Sequence, residues 1–177
     1  MSHLTGKKVV FLATNGFEDS ELTSPWEAVT GHGAQALLVS TKTGTITGKN
    51  GHQATVDITT DAVSGADFDA LVLPGGVVNS DTIRTDEAAV ALVRDIVSAG
   101  KPVGVICHGA WIMADADVLR GRTVTSYPSL KTDLINAGAT WVDEEVVTDK
   151  GLVSSRTPDD LPAFNDKVVE EIGEGIH

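Results

Sequence analysis

A single cysteine, Cys107, lies between the apolar residues 103–106 and a histidine and glycine at 108 and 109. This pattern predicts a buried strand that turns sharply into a helix, which is the setting of a nucleophile elbow. A side chain at such a turn projects over the end of the sheet, where helix amides favour negative charge. We therefore expect the thiol to ionise more readily than a free cysteine and to act as a nucleophile. The alternative is a small, buried apolar side chain.

Two further side chains have suitable chemistry. His108 follows the cysteine, and a neutral imidazole suits a general base near neutral pH, although adjacent side chains normally diverge. Glu18 follows the first predicted strand, whose end we expect to neighbour the cysteine strand. A carboxyl in a partly apolar pocket keeps its proton and can donate a hydrogen bond to a thiolate. The alternative interpretation is that Glu18 is a solvated acid, because Asp19 and Glu21 lie beside it.

Pro74-Gly75-Gly76 follows another predicted strand. It is either a simple turn or a place where backbone amides face a developing oxyanion, and we select the amides of Gly76 and His108 for that role. Gly109 keeps the cysteine turn free of side chains. Trp111 is the tryptophan best placed to line a pocket. The histidines and the cysteine lack metal-ligand spacing and no phosphate-binding glycine motif occurs, so we expect no metal and no cofactor.

Alternating strand and helix patterns must position these residues. Apolar runs typical of strands buried on both faces occur at residues 8–13, 36–40, 69–73 and 103–106. Helical spacing occurs at residues 86–99, 110–116, 130–137 and 159–172, and hairpin signals occur at 45–57 and 142–155. Asp19 or Ser20 is a candidate helix cap, and Pro25 is tolerated only near a helix start, so we expect an irregular first turn before a helix that ends near residues 31–33. This order predicts an α/β fold with a mainly parallel sheet and helices on both faces, whose sites lie beyond the carboxyl ends of the strands.

Length and composition limit the number of domains, the binding partners and the cellular compartment that the sequence predicts. The 177 residues suit one domain spanning 1–177. The net charge of −12 disfavours nucleic acid and anionic membranes, which are polyanions. A lone cysteine cannot form an internal disulfide, which favours the reducing cytoplasm. Residues 1–8 contain no signal-peptide core, and no apolar run reaches the length of a membrane span.

These segments resemble the PfpI family of intracellular cysteine proteases and stress proteins, within the wider DJ-one/PfpI superfamily. The resemblance extends over nearly the whole chain. The motifs that carry it are Phe17-Glu18-Asp19-x-Glu21-Leu22, Thr45-Ile46-Thr47-Gly48, Leu71-Val72-Leu73-Pro74-Gly75-Gly76, Gly100-Lys101-Pro102, Ile106-Cys107-His108-Gly109, Leu119-Arg120-Gly121-Arg122, Ile135-Asn136-Ala137-Gly138-Ala139 and Ser154-Ser155-Arg156-Thr157-Pro158-Asp159-Asp160-Leu161-Pro162.

The resemblance implies a flavodoxin-like three-layer sandwich, shared with class I glutamine amidotransferase domains. It also implies that Cys107 is the nucleophile, that Glu18 hydrogen-bonds it, that His108 lies alongside, and that the protein forms a homodimer or larger ring. Protease-like members take a further acid from a neighbouring subunit, and Asp81 is the candidate here. Thr157-Pro158-Asp159 stands where glutaminases have His-Pro-Glu, so glutaminase activity is not expected.

We expect a cysteine-dependent stress-response enzyme of glyoxalase or deglycase type. In it, Cys107 attacks a reactive carbonyl on a small molecule or a modified protein. Two alternatives stay open: a PfpI-type intracellular cysteine peptidase, and a non-catalytic redox sensor in which Cys107 is reversibly oxidised.

Overall fold

The structure is a computed structural model that describes residues 3–177. Met1 and Ser2, the first residues of the segment for which no signal-peptide core is predicted, lie outside the described residues. The strands are β1 (Lys8–Leu12), β2 (Gln35–Ser40), β3 (Thr45–Thr47), β4 (Gln53–Thr55), β5 (Ile58–Thr59), β6 (Ala70–Leu73), β7 (Val103–Ile106), β8 (Thr123–Val124), β9 (Thr140–Trp141), β10 (Val147–Asp149) and β11 (Leu152–Ser155). The helices are α1 (Asp19–Gly31), α2 (Val77–Ile83), α3 (Glu87–Ser98), α4 (Trp111–Asp115), α5 (Lys131–Asn136) and α6 (Leu161–Glu174).

The central sheet has seven strands in the order β10-β11-β7-β6-β1-β2-β5. All neighbouring pairs are parallel except β10 and β11, which form an antiparallel hairpin at one edge. Two small sheets lie outside it: the β3–β4 hairpin and the parallel pair β8–β9. The predicted mainly parallel α/β fold is confirmed.

Each central strand contributes side chains to two separate cores. In β1, Val9 and Phe11 belong to one core, while Val10 and Leu12 belong to the other, because successive side chains of a strand point to opposite faces. The first core includes residues of α1 and α6, and the second includes residues of α3, α4 and α5. The absence of apolar alternation in the sequence of these strands therefore reflects burial on both faces.

Two helices differ from the sequence prediction. The first is regular from Asp19 and contains Pro25, whereas an irregular first turn was expected before a helix that started near the proline. Asp19 does not cap this helix; its carboxylate accepts hydrogen bonds from the backbone of Asn50 and His52 in the β3–β4 hairpin. Helix α2 was not predicted, because it has seven residues and presents exposed valines at 77 and 78.

Between residues 3 and 177, no helix combines the length and the apolar character that crossing a membrane requires.

Candidate active site

Three loops meet at the carboxyl ends of adjacent strands. Strand β6 lies between β1 and β7, so the loops after these strands, at 13–18, 74–76 and 107–110, share one edge of the sheet. The prediction that the first strand neighbours the cysteine strand is wrong, because β6 lies between β1 and β7. The Pro-Gly-Gly turn therefore lies between the two loops and can contact both.

Cys107 occupies a strained elbow. It has φ +62°, which is uncommon for a residue with a side chain, and 8% of its surface is exposed. A Cβ on Gly75 would lie 2.7 Å from Cys107 Cβ, and one on Gly109 would lie 2.5 Å from the Leu73 carbonyl oxygen. These approaches explain the glycines at 75 and 109, since no other residue fits there without displacing the elbow.

Two backbone amides face the sulfur. The N–H groups of Gly76 and His108 lie close enough to the sulfur to act as hydrogen-bond donors that lower the pKa of Cys107. Gly76 has φ +92°, and a Cβ there would collide with the carbonyl oxygen of Gly16. The predicted pair of amides is thus brought to one point. The amide of Gly75 has a different partner, because it donates to the Glu21 carboxyl at 2.8 Å.

The carboxyl against the thiol is that of Glu21. This side chain is fully buried; Oε1 accepts from Gly75, and the carboxyl lies close enough to Cys107 for each group to shift the pKa of the other. Its other oxygen, Oε2, has no hydrogen-bond partner among the described residues. Burial, reinforced by the charge of Glu18, raises the pKa of Glu21 to about 8. Glu21 therefore carries a proton at neutral pH and can donate it to the sulfur in a hydrogen bond.

Glu18 occupies a different place from the one predicted. Its Oε1 pairs with Lys49 Nζ at 2.9 Å, and its Oε2 accepts from Asn50 Nδ2 at 3.3 Å. Glu18 and Lys49 still act on the thiol through their charges, since both lie near enough to influence neighbouring pKa values. The two glutamates belong to one helical start, three residues apart, and the inward position is Glu21.

The resting thiol is protonated. Burial, together with the negative charge that Glu21 carries once it ionises above its own pKa, raises the pKa of Cys107 to about 12, against the lowering effect of the His108 and Gly76 amides. The expectation of a readily ionised thiol was therefore wrong: the elbow supplies amide donors, but desolvation of the thiolate outweighs them. A thiol with this pKa can act as a nucleophile only if a nearby base takes its proton during the attack.

His108 is placed to be that base. Its Nδ1 lies 3.3 Å from Cys107 Sγ, so the turn brings the adjacent side chains together instead of letting them diverge. Burial and the positive charge of Lys49 lower the pKa of His108, which keeps the imidazole neutral. The ring stacks on Tyr127, with centroids 4.6 Å apart, and meets the Trp111 ring edge-on at 5.2 Å.

Other predicted residues lie around this centre. The ring of Trp111 packs edge-on against the imidazole of His108, and its Nε1 donates a hydrogen bond to the Asp133 carboxylate. Asp81, the candidate acid from a neighbouring subunit, is exposed on α2. Sequence reasoning missed Asn79, a buried residue that accepts from the Thr14 amide and donates to the Pro74 and Gly75 carbonyls. It ties the β1 loop to the Pro-Gly-Gly turn.

This site, on this sandwich, defines a class of proteins in which a cysteine at a strand–helix elbow lies beside a carboxyl and a histidine. The chain belongs to the DJ-1/PfpI family, whose model matches residues 7–171. The resemblance inferred from the sequence motifs is confirmed.

Individual relatives agree with this assignment. The chain is 51% identical over 157 residues to "Deglycase PH1704" of Pyrococcus horikoshii, covering 89% of this chain and 94% of the relative. It is 46% identical over 170 residues to "Protein/nucleic acid deglycase 2" of Escherichia coli, covering 94% and 98%. A crystal structure of Drosophila melanogaster DJ-1beta superposes with a TM-score of 0.87 at 28% identity, covering 94% and 90%. The names of the two relatives agree with the predicted deglycase class of enzyme.

Proposed function

We propose that this protein is a cysteine-dependent deglycase or glyoxalase of the stress response, with Cys107 as nucleophile, His108 as general base and Glu21 as the protonated carboxyl partner. Its substrates are reactive carbonyls, either small α-oxoaldehydes or their adducts on proteins. The observation that carries the proposal is the convergence of two amides, an imidazole and a protonated carboxyl on one sulfur. Such donors stabilise the charge that develops when the sulfur attacks a carbonyl.

The reaction with methylglyoxal proceeds in balanced steps. The Sγ–C bond forms at the aldehyde carbon, the thiol proton moves to Nδ1 of His108, and the oxyanion then takes this proton to give a hemithioacetal. The hydrogen on C1 moves to C2 as a proton through the same imidazole, and the proton of the C1 hydroxyl passes to the C2 oxygen, which gives a lactoyl thioester. Water cleaves the thioester to lactate and restores the thiol, so the net reaction adds one water and needs no external oxidant or reductant.

The substitution Cys107→Ala tests the proposal directly. We expect lactate formation from methylglyoxal to fall by at least about a thousandfold, because the variant cannot form the covalent intermediate. A matched control is Ser98→Ala, an exposed substitution at the end of α3, remote from the sulfur and its donors. Lactate formation by Cys107→Ala at the wild-type rate would contradict the proposal.

A peptidase is the second candidate, and it makes a different structural demand. A cysteine peptidase that moves a proton repeatedly gains from an acid that stabilises its imidazolium. Asp81 is the exposed acid on α2, and a second copy of the chain would have to bring it to His108. Val77 and Val78, which are 52% and 63% exposed beside it, are apolar surface that pairing would cover. Sizing the protein in solution and assaying unfolded peptides distinguishes this candidate.

We also propose that the protein acts in the cytoplasm as a homo-oligomer. The support for this location is the free thiol of Cys107, which a reducing compartment preserves. The support for assembly is the exposed valine pair next to the oxyanion-binding amide of Gly76.

A further inference from the structure

The second nitrogen of the catalytic imidazole has a neutral partner. His108 Nε2 lies 3.3 Å from the hydroxyl of Ser129, while Nδ1 lies 3.3 Å from the thiol. The charge that acts on this imidazole is the positive charge of Lys49, and no carboxylate contact to Nε2 occurs among residues 3–177. The hydroxyl therefore fills the place that an acid takes in a three-residue relay.

The loop that carries Ser129 is fixed against the cysteine turn. The backbone N–H of Tyr127 donates to the Cys107 carbonyl oxygen at 3.2 Å, and its ring stacks on the imidazole. Residues Pro128–Leu130 form a single turn of 3-10 helix, and Leu130 at its end is fully buried. The stacking holds the plane of the imidazole, and the serine hydroxyl holds its rotation within that plane.

We propose that Ser129 is a positioning residue that sets the tautomer of His108. Its Oγ accepts a hydrogen bond from the Nε2–H group of His108. Nδ1 therefore keeps its lone pair directed at the thiol and is ready to take the thiol proton. This inference rests on the proposed function, in which His108 acts as general base. A hydroxyl orients the imidazole without adding negative charge, so the base stays neutral at the pH where it must accept a proton.

Ser129→Ala, Ser129→Thr and the exposed control Ser98→Ala test the inference. We expect Ser129→Ala to lower kcat for methylglyoxal about three- to tenfold, the range for one neutral hydrogen bond, with KM changed less than twofold. The fraction of neutral His108 that is protonated at Nε2, measured from its ¹⁵N shifts, should then fall. Ser129→Thr should recover most of kcat, and Ser98→Ala, at the end of α3, should match the wild type.

A second variant covers the case in which Ser129→Ala does not fold. Ser129→Asp adds a carboxylate at Nε2, so the pKa of His108 should rise and the acid limb of the pH–kcat profile should move to higher pH. Wild-type kcat and an unchanged ¹⁵N pattern in Ser129→Ala, or an unmoved acid limb in Ser129→Asp, would overturn the inference. The ¹⁵N pattern is measured without substrate, so it reports on Ser129 even if Cys107→Ala refutes the proposed function.

Discussion

Two buried carboxyl groups in this molecule, those of Asp160 and Glu21, have pKa values that are shifted in opposite directions. Asp160, which is 3% exposed, accepts from the Arg156 guanidinium at both oxygens, at 2.9 and 3.0 Å, and from the Arg156 backbone N–H at 2.9 Å. Burial raises the pKa of Asp160, but these hydrogen bonds outweigh it and hold the pKa below the ordinary value. Glu21, equally buried, has one backbone donor and forms no salt bridge among residues 3–177, and burial raises its pKa to about 8.

The difference shows that burial does not by itself decide the charge of an acid. A guanidinium partner turns Asp160 into a structural ion pair that joins the end of β11 to the start of α6. The lack of such a partner leaves Glu21 as a neutral acid beside a thiol, at a cost in stability near neutral pH. We regard that cost as the signature of a functional site, since a pocket selected for stability alone would pair or remove the acid.

The largest expected effect is on the pH dependence of stability. A folded-state pKa raised above the unfolded value gives stability that is present at low pH and is lost as pH rises. For Glu21 the loss runs from pH 4.5 to about 8, at about 1.4 kcal/mol per pH unit. Glu21→Gln mimics the neutral acid and does not ionise. The free energy of unfolding of this variant, relative to that of the wild type, should therefore increase as pH rises through this range. Urea unfolding at pH 5, 6.5 and 8 measures the difference.

Glu27→Gln, an exposed substitution on the same helix, is the matched control and should parallel the wild type. His108 has a lowered pKa, so its own contribution is lost as pH falls below its unfolded value, which is the opposite sign. Because all three proteins keep His108, that contribution cancels in the comparison. A constant difference between Glu21→Gln and the wild type at the three pH values would show that Glu21 is ionised in the folded protein.

The smaller expected effect concerns Asp160. Asp160→Asn keeps the size of the side chain but removes the charge that pairs with Arg156, which is itself partly exposed and can be rehydrated. We expect the free energy of unfolding at pH 7 to fall by about 1–3 kcal/mol, and the lactate-forming activity per folded molecule to stay at the wild-type level. Asp159→Asn, the exposed neighbour, should change neither quantity. A loss of turnover in folded Asp160→Asn would remove the distinction between the two carboxyls.

The sequence predicted the sheet and the amide donors because local signals determine both. Uninterrupted apolar runs identified β1, β6 and β7, and the glycines at 75, 76 and 109 marked places where backbones approach closely. The choice between the glutamates failed because it used position after the strand and not helical periodicity. Glu21 lies with Leu22, Pro25 and Val29 on the buried stripe of α1, whereas Glu18 precedes the helix. That stripe is visible in the sequence and identifies Glu21.

The residues that contact His108 could not be predicted from local sequence patterns. Tyr127 and Ser129 are about 20 residues from the cysteine, in a loop that reaches it only after β8 and α5 pack. The raised pKa of the thiol likewise depends on how completely the site excludes water, which no local pattern records.

The central claim is that Glu21, and not Glu18, is the protonated carboxyl against Cys107. Glutamate side-chain carboxyl ¹³C resonances, followed from pH 4 to pH 9 in the wild type, Glu21→Gln and Glu18→Gln, test it most directly. We predict one resonance that titrates with a pKa of about 8, absent in Glu21→Gln and retained in Glu18→Gln. A resonance near 8 that disappears in Glu18→Gln, or a wild type in which every glutamate titrates near its ordinary value, would contradict the account.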